Sequence, residues 1–442
     1  MAEIFPFYAY RYNPERVQLA EVVTQPYDKI TPAMQERYST VPNNLITVEK
    51  GKPSAGDSPS DNVYTRAAKA LEDWIRSGIL VRDSAPGIYA YSQEYTVPGT
   101  VDRSTRSGFI ALGRVEDYAA GVVYRHEQTL SGPKADRLEL LRHTRTHTGQ
   151  LFMLYTDAQR RVDTMLQSLM RAAAPIEARD EYDVIHRLWP LFDRDAIAAI
   201  VKAMAGQKLV IADGHHRYET ALAYRDQCRG QSGGVDLGAP YEKAMMTFFN
   251  TRSEGLLILP THRVVSNLPH FDVSAFRAAM SSTFDQESYS FASDAARAVA
   301  SYGFGRALSA RGSDSRRPIG MYTPGEFTIF RLRPEASLTE LMPDVSPAQR
   351  LLDVVVLHRI LLERGLGITA AAVTAERNIS YERDMSAAIA LVDEGRAQVC
   401  FLLNAVDVEQ VTEMALAGEV LPQKSTDFYP KLLSGLTLYR LE

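Results

Sequence analysis

Four apolar residues, Leu209-Val210-Ile211-Ala212, run into Asp213-Gly214 and then straight into His215-His216-Arg217 and Tyr218-Glu219-Thr220-Ala221-Leu222-Ala223-Tyr224. A β-branched run, an Asp-Gly break and apolar residues at helical spacing, in that order, predict a strand, a tight turn and a helix. That order aims backbone at an anion. The first turn of a helix leaves several N–H donors without intrahelical acceptors, and the macrodipole adds partial positive charge there. Asp213 can cap, Gly214 permits close approach, and His215, His216 and Arg217 supply side-chain donors, Arg217 with a fork suited to two phosphate oxygens. A solvated surface turn is the competing reading, and the strand-turn-helix context favours a phosphate grip.

A chain of 442 residues is too long for one small core, so two or three domains are expected. With 45% hydrophobic and 23% charged residues it has an ordinary globular composition, and no segment is long and apolar enough to span a bilayer. Near the start, Glu3 and Pro6 stand where a signal peptide would carry basic residues and an apolar core. The two cysteines, Cys228 and Cys400, make no disulfide framework. Both features suit a cytoplasmic protein. A formal net charge of −5 argues against broad nucleic-acid coating.

The segment 51–61 is rich in Gly, Pro and Ser and reads as a loop; an amphipathic helix is expected over 63–79. Strands over 88–97 and 109–115, with a turn across 99–106, read as a hairpin. A helix is expected over 136–146, a buried strand over 151–155, and a helix over 195–205 leading into the strand before Asp213. Gly230-Gln231-Ser232-Gly233-Gly234 matches the nucleophile-elbow spacing but follows a helix instead of a strand, so that chemistry is rejected. No Walker-type phosphate loop occurs, and Gly303-Phe304-Gly305 lacks the third glycine of a dinucleotide fingerprint. The pattern changes after Phe271, which places an expected boundary near Asn267, with domains 1–266 and 267–442. Further elements are expected over 273–281, 294–301, 319–322, 327–332, 347–364, 385–393, 398–403 and 408–417.

Three further polar clusters exceed what a turn requires. His126-Glu127-Gln128-Thr129 is followed by Lys134, Asp136 and Arg137, and a carboxylate among cations is a candidate general base or metal ligand. A solvated strand end with Asp136 as a helix cap competes with that reading. Pro260-Thr261-His262-Arg263 follows an apolar strand, and strand ends often carry ligand contacts. Near the end, Lys424, Ser425, Thr426 and Lys431 lie in a proline-bounded loop that can wrap an anion. Adjacent histidines at 215 and 216 cannot easily meet on one ion, which argues against zinc; magnesium carried by a nucleotide and held through Asp213 fits better.

The run from Leu209 to Ala221, together with Pro26-Tyr27-Asp28, His126-Glu127 with Thr129, Asp136-Arg137, Leu259-Pro260-Thr261-His262-Arg263 and the closing Pro422 to Lys431 segment, resembles the signature of domain of unknown function family 1015. That family looks related to the ParB and sulfiredoxin superfamily, which includes free serine kinases. The resemblance implies an α+β protein, a ParB/sulfiredoxin-like nucleotide-binding core followed by a C-terminal α/β region whose last loop returns to the site. It implies a kinase that moves a phosphoryl group from a nucleotide (ATP, ADP or CTP, with magnesium) to a small, serine-like hydroxyl metabolite. Glu127, Asp213 and His216 would then be catalytic. Gly214, His215, Arg217, Lys134, Arg137, His262, Lys424, Ser425, Thr426 and Lys431 would hold nucleotide and phosphates. His215 stands where sulfiredoxins carry their reactive cysteine, so sulfinic acid reduction is not implied. The alternatives are a non-catalytic, nucleotide-gated regulatory protein of the ParB type and a phosphoester hydrolase. No membrane or nucleic-acid partner is expected, and a homodimer is compatible with the sequence.

Overall fold

The computed structural model describes residues 2–127, 132–310 and 318–442. The chain is a mixed α+β protein whose backbone forms two compact units. One comprises Met1–Arg125, Thr129–Leu257 and Pro430–Glu442, the other His126–Gln128 and Ile258–Tyr429. The division thus falls at Leu257 instead of near Asn267, and the first unit reclaims the end of the chain. A change in hydrophobic period marks where elements change type, whereas the units are set by which elements share a core.

The first unit is built on a nine-stranded sheet. Across it run Val123–Arg125, Leu209–Asp213, Leu151–Tyr155, Lys243–Asn250, Arg103–Arg114, Ile88–Thr96, Ile185–Leu191 and Ile176–Arg179, with Ile4–Phe5 added beside Arg103–Arg114. Leu209–Asp213 pairs parallel with Val123–Arg125 and antiparallel with Leu151–Tyr155. One face is apolar. Leu209, Ile211, Met153, Phe109 and Phe248 contribute to a core that also takes Val162 and Leu166 from the helix Arg161–Ala172, Ile197 and Ile200 from Arg194–Met204, and Tyr218 from His215–Ser232. The helices form where the sequence has apolar residues at three- and four-residue spacing, and each buries that stripe against the sheet.

The expected hairpin is present, but its second strand starts at Arg103, so Arg106 lies within the ladder and not in a turn. Arg106 is fully buried, with its guanidinium 4.6 Å and 4.8 Å from the ring centroids of Phe152 and Phe249. Flat contact with aromatic rings and a bond to Gln93 let a charged side chain take a core position that strand patterning would assign to an apolar one. The helix expected after Asp213 runs from His215 through Ser232, carrying Gly230 inside it.

The second unit holds a six-stranded antiparallel sheet in the order Phe284–Ser290, Glu326–Leu332, Ile319–Thr323, Val399–Leu402, His262–Val265 and Ile379–Glu382. Phe304, Tyr322, Phe327, Ile329, Ile389 and Leu402 lie in its core, with Phe304 from the helix Asp294–Ser309 and Ile389 from Met385–Asp393. Phe284–Ser290 escaped the sequence reading because four of its seven positions are exposed, and a strand at the sheet edge needs little apolar patterning. The stretch expected as one helix over 347–364 is instead a short helix Asp353–Val356 continued by a π-helical segment, Leu357–Gly365.

Candidate functional site: the Asp213 turn

The strand Leu209–Asp213 ends in a bulge. Ile211 pairs with Met153, but Asp213, two residues on, pairs with Phe152, the very next residue of the partner strand. Simple alternation would set Asp213 on the core-facing side with Ile211; the register shift breaks that alternation and re-aims the carboxylate. Gly214 then turns the chain at φ +91, in the left-handed region that favours glycine. A Cβ there would also meet Leu151 Cδ2 at 3.2 Å and Arg217 Nε at 3.3 Å. The helix that follows begins without a side-chain cap, and its first intrahelical bond runs from Tyr218 N–H to the Gly214 carbonyl at 3.0 Å. Tyr218 anchors the helix start: its hydroxyl donates to Glu116 O at 2.7 Å and accepts from Glu116 N–H at 2.9 Å.

Cations gather around Asp213. Lys431 Nζ lies 3.6 Å from Asp213 Oδ1 and Arg217 Nη2 lies 3.7 Å from Asp213 Oδ2. Desolvation by burial alone would raise this carboxyl, but the charges of Lys431, Arg217, Lys29 and His215 outweigh it and hold the group well below the usual carboxylate range. Lys431 is placed there by its own backbone. Gln93 Nε2 donates to the Lys431 carbonyl at 2.7 Å, and Arg106 Nη2 donates to the Pro430 carbonyl at 2.6 Å. Desolvation pulls the Arg106 guanidinium down to about 10, opposed by Tyr91, Tyr95 and Asp213.

Arg217 also donates to the Gln150 carbonyl, and beside it a small cleft of about 50 Å³ is lined by Tyr27, Glu49, Arg137, Thr148 and Gly149. Here Arg137 stacks 4.4 Å over the Tyr27 ring and donates to the Glu49 carbonyl at 2.8 Å and to Glu49 Oε2 at 3.3 Å. Glu49 Oε1 in turn accepts from Thr148 Oγ1 at 2.9 Å. Burial, helped by Asp28, pushes the Tyr27 phenol up to about 12, so it stays protonated under the stacked guanidinium. Space of this size holds water, not a nucleotide.

The expected site residues divide between the two units. Asp213, Gly214, His215, His216, Arg217, Lys134, Arg137 and Lys431 belong to the first; Glu127, His262, Lys424, Ser425 and Thr426 belong to the second. Gln128 and Thr129 of the same cluster lie outside the described residues. Lys134 pairs with Glu219, and Arg137 with Asp136 and Glu49.

Within the second unit, Glu127 Oε1 accepts the Lys424 N–H at 2.7 Å, and His126 Nε2 shares a 2.6 Å hydrogen bond with Thr426 Oγ1. Ser425 Oγ donates to the Pro422 carbonyl at 2.5 Å. These contacts hold the 422–426 loop from the His126-Glu127 segment. His262 differs from its expected part. It is 1% exposed, and its Nδ1 accepts the Leu403 N–H at 3.2 Å. Desolvation, then the charge of Arg263, lowers it to about 4, so it is a neutral core imidazole with no open face for a phosphate. Arg263 beside it is equally buried, donating to His358 Nε2 at 3.2 Å and to the Lys424 carbonyl at 3.2 Å.

Residues 4–355 match the family described as a protein of unknown function, DUF1015. The chain belongs to that family. No curated protein matches it. Similar solved structures include a conserved hypothetical protein from Pyrococcus furiosus, 14% identical, covering 71% of this chain and 92% of its own, with a TM-score of 0.33. A free serine kinase in complex with AMP is 12% identical, covering 71% of this chain and 89% of its own, with a TM-score of 0.34. SbnI with a C-terminal truncation, from Staphylococcus aureus, is 10% identical, covering 74% and 87%, with a TM-score of 0.34. Likeness at this level transfers no activity to a DUF1015 chain.

Participants at the turn that were not among the expected site residues include Lys29, Glu49, Arg106 and Gly149. Lys29 follows the quoted Pro26-Tyr27-Asp28, and Gly149 interrupts a polar run just before the Leu151 strand, so both carried a signal. A Cβ on Gly149 would meet Arg217 Nη1 at 2.8 Å, Ser434 Oγ at 3.1 Å and Glu49 Oε1 at 3.3 Å, which explains the glycine. Glu49 and Arg106 are set by tertiary packing alone.

Proposed function

We propose that the Asp213 turn binds the phosphates of a nucleotide and that this DUF1015 protein is a small-molecule kinase, moving a phosphoryl group to a hydroxyl-bearing metabolite of the serine type. The observation that carries the reading is the gathering of Lys431, Arg217 and the charge of Lys29 around one carboxylate at the start of the helix His215–Ser232. An anion grip needs donors and positive charge that are already in place, because phosphoryl transfer is mostly positioning and charge stabilisation. Asp213 supports it in two ways. It keeps the cations ordered in the absence of ligand, and its ionised carboxylate suits a magnesium ion arriving with the nucleotide, since such ions take one or two carboxylates together with phosphate oxygens. Among the described residues no group of three or more His, Cys, Asp or Glu is placed to hold a metal, so a single-carboxylate role is what the donors fit. His215 and His216, in the first helical turn, are assigned to orient the phosphates.

Glu127 is assigned as the base for the hydroxyl. The test is transfer of labelled phosphate from ATP, ADP or CTP with magnesium to a panel of small hydroxyl compounds, for the natural protein and for Glu127→Gln, which keeps an acceptor for the Lys424 N–H. Loss of transfer with nucleotide affinity intact is the expected result. Nucleotide binding without transfer to any acceptor would replace the kinase with a nucleotide-gated regulator, and phosphate release without an acceptor would replace it with a hydrolase.

A further inference from the structure

A second pocket lies at the other end of the same sheet. Asp213 pairs beside Phe152 near the start of the Leu151–Tyr155 strand, whereas this pocket opens where that strand and Lys243–Asn250 finish. Its volume is about 210 Å³, far more than the few tens of Å³ one water needs. The helix Arg161–Ala172 supplies an apolar wall, Leu166 and Met170; Thr105 and Ser107 bring hydroxyls from the Arg103–Arg114 strand; Glu254 contributes a second carboxylate from the loop after Asn250.

The decisive group is Asp163, which lines this pocket and is 8% exposed. Its Oδ2 accepts from Ser253 Oγ at 2.7 Å, Asn250 Nδ2 at 3.0 Å and Arg160 Nε at 3.2 Å. Among the described residues its Oδ1 accepts no hydrogen bond. A carboxylate offers about four lone-pair positions, so half of this one is left for a ligand. The walls are built to keep that shape. Gly255 sits at φ +76, and a Cβ on it would lie 2.3 Å from the Thr105 carbonyl, so the loop is pressed onto the strand. Nearby, the Tyr155 hydroxyl is buried without a hydrogen-bond partner among the described residues, in the field of Asp163.

Two carboxylates and one guanidinium line the pocket, and that guanidinium is already paired with Asp163. The pocket therefore selects positive charge with a short hydrocarbon body. We propose that it is a binding site for a small aliphatic ammonium ion, its N–H donors on Asp163 Oδ1 and Glu254 and its carbon chain on Leu166 and Met170. This site is separate from the nucleotide turn.

Calorimetric titration with 1,4-diaminobutane at neutral pH tests it, with 1-butanol as the uncharged control. Binding of the diamine and not of butanol is expected, weakened about tenfold or more in Glu254→Gln, because the acceptor that remains has lost its charge. Asp163→Asn should abolish it. Because Asp163 also ties down the loop, Met170→Trp, which fills the pocket while leaving Asp163 in place, is the second variant and should abolish binding too. Arg217→Ala should leave diamine binding unchanged. No binding at millimolar diamine, equal binding of butanol, unchanged binding in Glu254→Gln and Met170→Trp, or loss in Arg217→Ala would each overturn the proposal.

Discussion

Lys431, close to the end of the chain, places its ammonium 3.6 Å from the carboxylate of Asp213, and with 9% of its side chain exposed it is shielded from the solvent screening that weakens surface pairs. Replacing it by Met keeps most of the bulk and removes the charge. Nucleotide affinity should then fall roughly tenfold to a hundredfold, the size of one lost charge-assisted contact. Stability should change as well. Because the folded Asp213 carboxyl is depressed, its contribution is present above the ordinary carboxylate range and is lost as pH falls through the lower folded value. Lys431→Met moves that loss to higher pH, which thermal melts from neutral pH to about pH 2 would register.

Gly149 has no room for a side chain. Gly149→Ala should displace Arg217 Nη1, which would stand 2.8 Å from the new carbon, and cost on the order of 1–3 kcal/mol of stability. Chemical denaturation measures the loss, and nucleotide affinity should fall with it. A variant as stable and as tight-binding as the natural protein would mean that Arg217 has another resting place.

His262 links acid sensitivity to the second unit. Its folded value of about 4 lies below the ordinary imidazole value, so the unfolded chain binds more protons over the interval between them. The stability this imidazole contributes is fully present above about pH 6.5 and is lost as pH falls through 4, on the order of 3 kcal/mol in all. His262→Asn retains an acceptor for the Leu403 N–H and cannot titrate. Its melting temperature should vary less between those pH values than that of the natural protein.

Much of the first unit was legible because its signals are local. Leu209 to Tyr224 reads as strand, turn and helix from spacing alone, and the structure has Leu209–Asp213, Gly214 at positive φ and His215–Ser232. The bulge that turns Asp213 out of the core was not legible, since it depends on register with Phe152, a residue of another strand. Arg106 was misplaced in a turn because its burial relies on the rings of Phe152 and Phe249 and on the carbonyl of Pro430, none of them near in sequence. His262 looked like a ligand at a strand end. Burial beside Leu403 gives it a packing role instead, and no property of the tetrapeptide around it distinguishes the two.

The central claim is that the Asp213 turn grips nucleotide phosphates, and Arg217 tests it most directly. Calorimetric titration of the natural protein and of Arg217→Ala with the magnesium complexes of ATP, ADP and CTP should show binding of at least one nucleotide, weakened about tenfold or more by the substitution, with diamine binding at the Asp163 pocket intact. Absence of binding to every nucleotide, or affinity unchanged in Arg217→Ala, would contradict it.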